Sequence, residues 1–144
     1  MKQRLFHLVA QARQNLFRSA DRVFTTELEV SGTQVVALFA IKADEGCQLK
    51  DLSQQLQLKN SAITGLVSRM EENGLIVREA CAQDGRSSRL YVSDKGNAVL
   101  ARAHPLLNRI NAQLKQGFST DELAVVARFL GHAASINFTV ESVK

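Results

Sequence analysis

Hydrophobic positions near the start of the chain recur at helical spacing. They run from about residue 2 to residue 28 as one long stripe: Leu5, Val9, Ala12, Leu16 and Val23. Three phenylalanines extend that stripe to a second side of the helix: Phe6, Phe17 and Phe24. A helix with so much apolar surface must pack against more than one partner. Ser31 and Gly32 interrupt the pattern, and a second apolar helix follows to about Ala43.

The segment 49–96 then predicts a short helix, a tight turn, a second helix at about 59–73 and a hairpin wing at about 75–93. The second helix has a core face at the spacing i, i+3, i+4 and i+7: Ile63, Leu66, Val67 and Met70. Alternate strand residues are expected to point inward: Leu75, Val77, Leu90 and Val92. Helix, turn, helix and wing in this order form a DNA-reading layout.

After the wing, a long helix is predicted from Ser93 or Asp94 to about Gln116, kinked at Pro105. A capping box at 119–122 opens the last helix. Its apolar stripe runs to Phe138: Leu123, Val126, Ala127, Leu130, Ala134 and Phe138.

The expected fold is therefore mainly α with a small β-wing. One domain, 1–144, holds a winged helix-turn-helix at 31–96 between dimerisation helices at 1–30 and 100–144. The terminal helices carry more apolar surface than the winged segment can cover, and its burial at about 25 cal/mol per Å² favours a homodimer. The expected interface uses Leu5, Phe6, Val9, Phe129, Ile136 and Phe138. The alternative is an intrachain helical bundle.

The predicted recognition helix has small polar residues opposite its core face. Short side chains would let it enter a major groove about 12 Å wide, and its N-terminal end would meet bases and phosphate. The candidate DNA contacts on this helix are Asn60, Ser61, Ala62, Thr64, Gly65, Ser68 and Arg69. The plainer interpretation is a solvated helix face.

At the wing, guanidinium groups on an exposed turn would suit a narrow minor groove. The candidate residues are Asp84, Arg86, Ser87, Ser88 and Arg89. Candidates for phosphate contacts are Lys50, Lys59, Arg78 and Lys95. Each of these residues also fits an ordinary polar surface.

Charge and composition narrow the class of protein. The 144 residues carry a net charge of +4, which favours anionic partners without choosing among them. That excess lies in the first 22 residues, whereas 49–96 is nearly balanced, so the argument for DNA depends on where charges stand.

No apolar run would span a bilayer. Two cysteines make no disulfide framework, which suits the cytoplasm. No metal-ligand cluster, phosphate loop or nucleophile elbow is visible, so no metal, cofactor or enzymatic activity is expected.

The central segment resembles the MarR family of bacterial winged-helix regulators. The matching stretches are 52–56, 61–64, 74–78, Asp84-Gly85-Arg86 and 90–96. The resemblance implies a cytoplasmic, nucleoid-associated homodimer on a pseudo-palindromic operator in double-stranded DNA. It implies a repressor, less often an activator, released by a small aromatic or lipophilic anion. Two departures are Ser93, where the family usually has threonine, and Gly85, where a charged residue is frequent.

In proteins of this kind the effector pocket lies where the dimer helices meet the winged domain. The candidates here are Phe17, Val35, Leu38, Phe39 and His104, all of which also fit a hydrophobic core. Two alternatives stay open. One is redox sensing through Cys47 or Cys81, which requires a lowered thiol pKa. The other is a winged-helix module that binds protein instead of DNA.

Overall fold

The computed structural model describes residues 4–81 and 87–144. Within them the helices are α1 (Leu5–Leu28), α2 (Gly32–Ala43), α3 (Leu49–Leu56), α4 (Asn60–Glu72), α5 (Asp94–Lys115), α6 (Thr120–Ser135) and α7 (Val140–Val143). The strands are β1 (Ile76–Ala80) and β2 (Ser88–Val92). The chain forms two compact units, Met1–Leu107 and Asn108–Lys144. No helix in the described ranges has the length and apolarity needed to cross a membrane.

The core of the first unit is built from one face each of α2, α3 and α4 and from the base of the wing. The largest side chains that are almost fully buried there are Val35, Leu38, Ile41, Leu52, Ile63, Val67, Met70, Leu75 and Leu90. Full burial of one such side chain contributes about 1.5–3 kcal/mol. The core face that the sequence predicts for the recognition helix is therefore confirmed.

Local hydrogen bonds define where these helices begin and turn. Ser31 caps α2 by accepting a bond from the Gln34 N–H, and the Gly32 N–H donates to Asp21 Oδ1 of α1 at 2.7 Å. Between α3 and α4, Gln57 is left-handed (φ 53°), and Ser53 Oγ donates to the Leu58 carbonyl at 2.6 Å. These bonds set the tight turn before the recognition helix.

The wing is an antiparallel pair in which Ile76 lies opposite Val92 and Val77 opposite Tyr91. The expectation that Val77 points inward is wrong, because Val77 is 47% exposed whereas Ile76 is 3% exposed. Leu75 is buried, but it belongs to the turn after α4, where its N–H donates to the Met70 carbonyl. The alternation of β1 therefore starts at Ile76, one residue later than the sequence suggests.

A close junction joins the wing to α5. Ser93 Oγ accepts from the Gly96 N–H at 3.0 Å and donates to the Gly74 carbonyl at 2.6 Å. A Cβ at Gly96 would overlap the Leu75 carbonyl oxygen and lie 2.7 Å from Cγ1 of Val92. Gly96 is thus needed for helix and hairpin to pack this closely, and Ser93 keeps the predicted capping role.

In the second unit, α6 opens with the predicted capping box, in which Ser119 and Glu122 bond each other's backbone N–H groups. This exchange lowers the pKa of the Glu122 carboxyl, since the Ser119 backbone and side chain both stabilise the charged form. The expected stripe to Phe138 is too long, because the extended backbone of Ile136 ends α6 at Ser135. A second capping box at Thr139 then begins α7.

Candidate nucleic-acid interface

The N-terminal half of α4 forms the centre of the site. The helix starts after the extended Lys59, and no side chain caps it. The first backbone N–H groups of any helix have no intrahelical acceptor, and here no capping side chain bonds them. Four of the candidate residues are exposed here: Asn60, Ser61, Ala62 and Thr64. Further along the helix, Gly65 and Ser68 are half-buried. A polar, short-sided surface thus lies opposite the buried core face, as the sequence predicts.

Two contacts shape that surface. Thr64 Oγ1 donates to the Asn60 carbonyl at 2.8 Å, which holds the hydroxyl along the helix. Exposed Arg69 lies one turn beyond Gly65, and its Nη1 is 3.2 Å from the position that a Cβ on Gly65 would occupy. The guanidinium therefore covers the glycine, and the bare backbone at residue 65 provides the room for it.

Of the four candidate phosphate contacts, Arg78 forms an ion pair and Lys95 a hydrogen bond within the domain. Arg78 Nε lies 3.5 Å from Glu71 Oε2 near the end of α4. Lys95 Nζ donates to the Asn73 carbonyl at 2.7 Å, where it stabilises the C-terminal end of the same helix. Lys59, at the start of α4, and Lys50, in α3, are exposed. The structure therefore separates the exposed Lys50 and Lys59 from Arg78 and Lys95, which pair with groups near the end of the recognition helix.

The wing candidates fall into two groups. Asp84 and Arg86 lie outside the described residues. The Ser87 carbonyl accepts the Cys81 N–H at 3.0 Å, whereas Ser88 and Arg89 lie within β2. Arg89 is exposed, as expected, but it lies in β2 and not in the turn. Its Nη1 donates to the Gly46 carbonyl at 2.9 Å, in the loop between α2 and α3.

The effector candidates are also divided. Val35 and Leu38 are 1% and 0% exposed, so both are core residues of the first unit. Phe39 and His104 are brought together edge to face, with ring centroids 5.1 Å apart. Phe17 is exposed on α1, and the Arg13 guanidinium lies 5.5 Å from its ring centroid.

The cysteines differ in their surroundings. Cys47 is buried, and burial, followed by the nearby carboxylates of Asp44 and Asp51, raises the pKa of its thiol. A raised pKa suppresses the thiolate that thiol chemistry needs. In the described parts of the chain, no group of three or more histidine, cysteine or acidic side chains is arranged to hold a metal ion.

Comparison with known proteins shows what this chain is similar to. The model of the MarR family matches residues 30–88, the second helix through the start of β2. The HTH-type transcriptional regulator BilQ of Clostridioides difficile (strain CD3) is 28% identical over 104 residues, covering 72% of this chain and 70% of BilQ. Residues 30–88 therefore match a MarR-family domain.

Solved structures agree with this chain over nearly its whole length. PcaV of Streptomyces coelicolor, crystallised with its natural ligand, is 26% identical with a TM-score of 0.78, covering 91% of this chain and 92% of PcaV. MepR of S. aureus, in complex with DNA, is 18% identical with a TM-score of 0.84, covering 93% and 98% of the two chains. The mainly helical fold with a small two-stranded wing is thus confirmed as a winged-helix fold.

Proposed function

We propose that this protein is a MarR-family regulator that binds double-stranded DNA in a sequence-specific manner, with the N-terminal half of α4 in the major groove and the wing in the adjacent minor groove. The observation that carries the proposal is the short-sided polar face of α4, with Asn60, Ser61 and Thr64 exposed and Gly65 and Ser68 half-buried, on a helix whose opposite face is buried. Thirteen residues give α4 a length of about 20 Å, and its short side chains suit close approach to base edges.

The proposed reading groups are Asn60, Ser61 and Thr64 in the N-terminal half of α4, together with Arg69, whose guanidinium lies back over Gly65. Arginine is the side chain that most often recognises guanine in the major groove, and Asn60 lies where a recognition helix meets bases. Arg86 of the wing is proposed to enter the minor groove, with Asp84 shaping its turn. The likeness to MepR, whose structure contains DNA, supports this arrangement.

We further propose a homodimer on a pseudo-palindromic operator. In the second unit, α6 has no residue buried within the chain, and its apolar residues are exposed: Val125, Val126, Phe129 and Leu130. On α1, Phe6 is 82% exposed. A second copy would cover these surfaces, at a gain of about 1.5–3 kcal/mol for each large side chain buried. Two-fold symmetry would then place two recognition helices on successive half-sites.

The proposed output is repression in the bacterial cytoplasm, relieved by a small aromatic or lipophilic anion. The Phe39–His104 ring pair offers an aromatic wall, and Arg13 above Phe17 offers a cation for a carboxylate. PcaV, a relative by structure, was crystallised with its natural ligand. Release requires the ligand to prefer a dimer whose recognition helices are wrongly spaced for DNA.

The decisive experiment is selection of duplexes from a random-sequence pool, followed by affinity measurements across a salt series. We expect an inverted repeat and a linear fall of log K with log salt. Exposed Lys50, Lys59 and Arg69, together with Arg86, give eight winged-segment cations per dimer, so the slope should be no steeper than about −7. Failure to enrich any duplex, together with salt-insensitive capture of a protein, would favour the protein-binding module instead.

A further inference from the structure

Arg89 reaches back from the wing to the loop between α2 and α3. Its Nη1 donates to the Gly46 carbonyl at 2.9 Å across 43 residues of sequence, in a partly buried position. A guanidinium that bonds a carbonyl makes a charge-assisted hydrogen bond, which is stronger than a neutral one. The sequence pattern groups Arg89 with Arg86 as a DNA contact. In the structure, its Nη1 donates to a carbonyl of the same chain.

The same loop is held by β2 at neighbouring positions. The Gly46 N–H donates to the Leu90 carbonyl and the Leu90 N–H to the Cys47 carbonyl, both at 2.9 Å. The Val92 N–H donates to Glu45 Oε2 at 3.2 Å. Loop residues 45–47 therefore lie beside β2 and form an isolated β-bridge between Cys47 and Leu90. We call this segment the loop clamp.

Gly46 allows this clamp to close. Its φ of +89° is a left-handed conformation that favours glycine, and the Tyr91 hydroxyl lies 3.2 Å from where a Cβ would stand. Immediately after the clamp, Gln48 and Asp51 form the capping box that starts α3. The clamp thus joins the wing to the helix pair that carries the recognition surface.

We infer that Arg89 is a positioning residue for DNA binding: through Gly46 it holds the wing at the angle required when α4 occupies the neighbouring groove. This inference rests on the proposed function. Because Arg89 uses a single N–H on a single carbonyl, a lysine ammonium can replace it, whereas minor-groove reading favours arginine over lysine. A direct phosphate contact would instead appear in the salt dependence.

The test compares Arg89→Ala, Arg89→Lys and Lys59→Ala with the wild-type dimer. The probes are a duplex selected by the wild-type protein from a random pool and an unrelated duplex of equal length. For Arg89→Ala we expect roughly tenfold weaker binding to the selected duplex. Its affinity for the unrelated duplex and its salt slope should stay unchanged, and Arg89→Lys should recover most of the loss. Lys59→Ala, the control for phosphate contact, should lower the slope by about 2 per dimer, one for each copy.

Hydrogen exchange without DNA tests the clamp itself. The Gly46 and Leu90 amides should exchange faster in Arg89→Ala and recover in Arg89→Lys. A reduced salt slope in Arg89→Ala would overturn the inference, as would unchanged exchange or equal losses on both duplexes with a lower melting temperature. If the wild-type protein binds neither duplex, the proposed function fails, while the exchange data still show whether Arg89 holds the loop.

Discussion

Gly65→Ala should move stability and DNA binding in opposite directions. Gly65 lies inside α4 with helical backbone, where alanine is favoured over glycine by about 1 kcal/mol. In the described part of the chain, the added Cβ would meet a single atom within 4 Å, Arg69 Nη1 at 3.2 Å. Because that atom ends a flexible side chain, it can move aside with little strain. We expect a gain of up to about 1 kcal/mol, or roughly 2–4 °C in melting temperature.

DNA binding should weaken because the new methyl group stands where α4 is proposed to approach the bases and displaces the Arg69 guanidinium. Loss of one specific contact costs about 1–3 kcal/mol, so binding to a selected duplex should fall about tenfold or more. Thermal melting at fixed protein concentration and fluorescence anisotropy measure the two effects.

Gly131→Ala in α6 is the matched control, since a Cβ there meets nothing within 4 Å among the described residues. Because α6 belongs to the proposed dimer surface, sedimentation should first show that Gly131→Ala is still a dimer. Its melting temperature should then rise similarly, with DNA affinity unchanged. Gly65→Ala protein that is more stable and binds the duplex as tightly as wild type would refute the reasoning. The face around residue 65 would then not lie close to DNA.

Three further predictions concern packing, assembly and the buried thiol. Gly96→Ala should lower the free energy of unfolding by about 1–3 kcal/mol or more in urea titrations, because its Cβ would overlap the Leu75 carbonyl; an unchanged midpoint would contradict the packing of this junction. Phe129→Glu should shift the dimer to monomers in sedimentation, and a persistent dimer would place the interface elsewhere. Cys47 should alkylate far more slowly at pH 7 in the folded protein than after unfolding. Rapid alkylation at pH 7 would contradict this. Since the pKa of the Cys47 thiol is raised in the fold, its contribution to the free energy of unfolding is present below about pH 9 and is lost as pH rises further.

Hydrophobic periodicity predicts most of the first unit because one continuous core selects one face of each helix. The recognition helix predicted at 59–73 is α4, Asn60–Glu72, with the expected core residues. Prediction from periodicity fails at apolar residues that lie just beyond the end of a helix. Leu75 is buried as part of the turn after α4, so counting it as strand reverses the inferred alternation of β1. Phe138 continues the α6 pattern but follows the residue that ends the helix.

The partners of basic residues are harder to predict because many of them are backbone carbonyls. Every residue has a carbonyl, so its availability depends on the fold and not on residue type. Lys95 bonds the carbonyl of Asn73, 22 residues away, and Arg89 bonds that of Gly46, 43 residues away. From sequence alone, both residues look like surface cations next to a DNA-reading element.

This internal use of cations changes the balance of forces expected at the DNA surface. Residues 49–96 are almost neutral as a whole. Arg78 forms an ion pair with Glu71, and Arg89 and Lys95 donate to backbone carbonyls. Shape must therefore carry much of the recognition. In the proposed function, the narrow face of α4 and the wing fit the grooves by shape, whereas non-specific binding to DNA depends almost wholly on charge. A winged domain whose cations pair with its own groups should have a low affinity for random DNA. Its selectivity then depends on holding α4 and the wing at the correct separation, which is the task that the structure gives to Arg89.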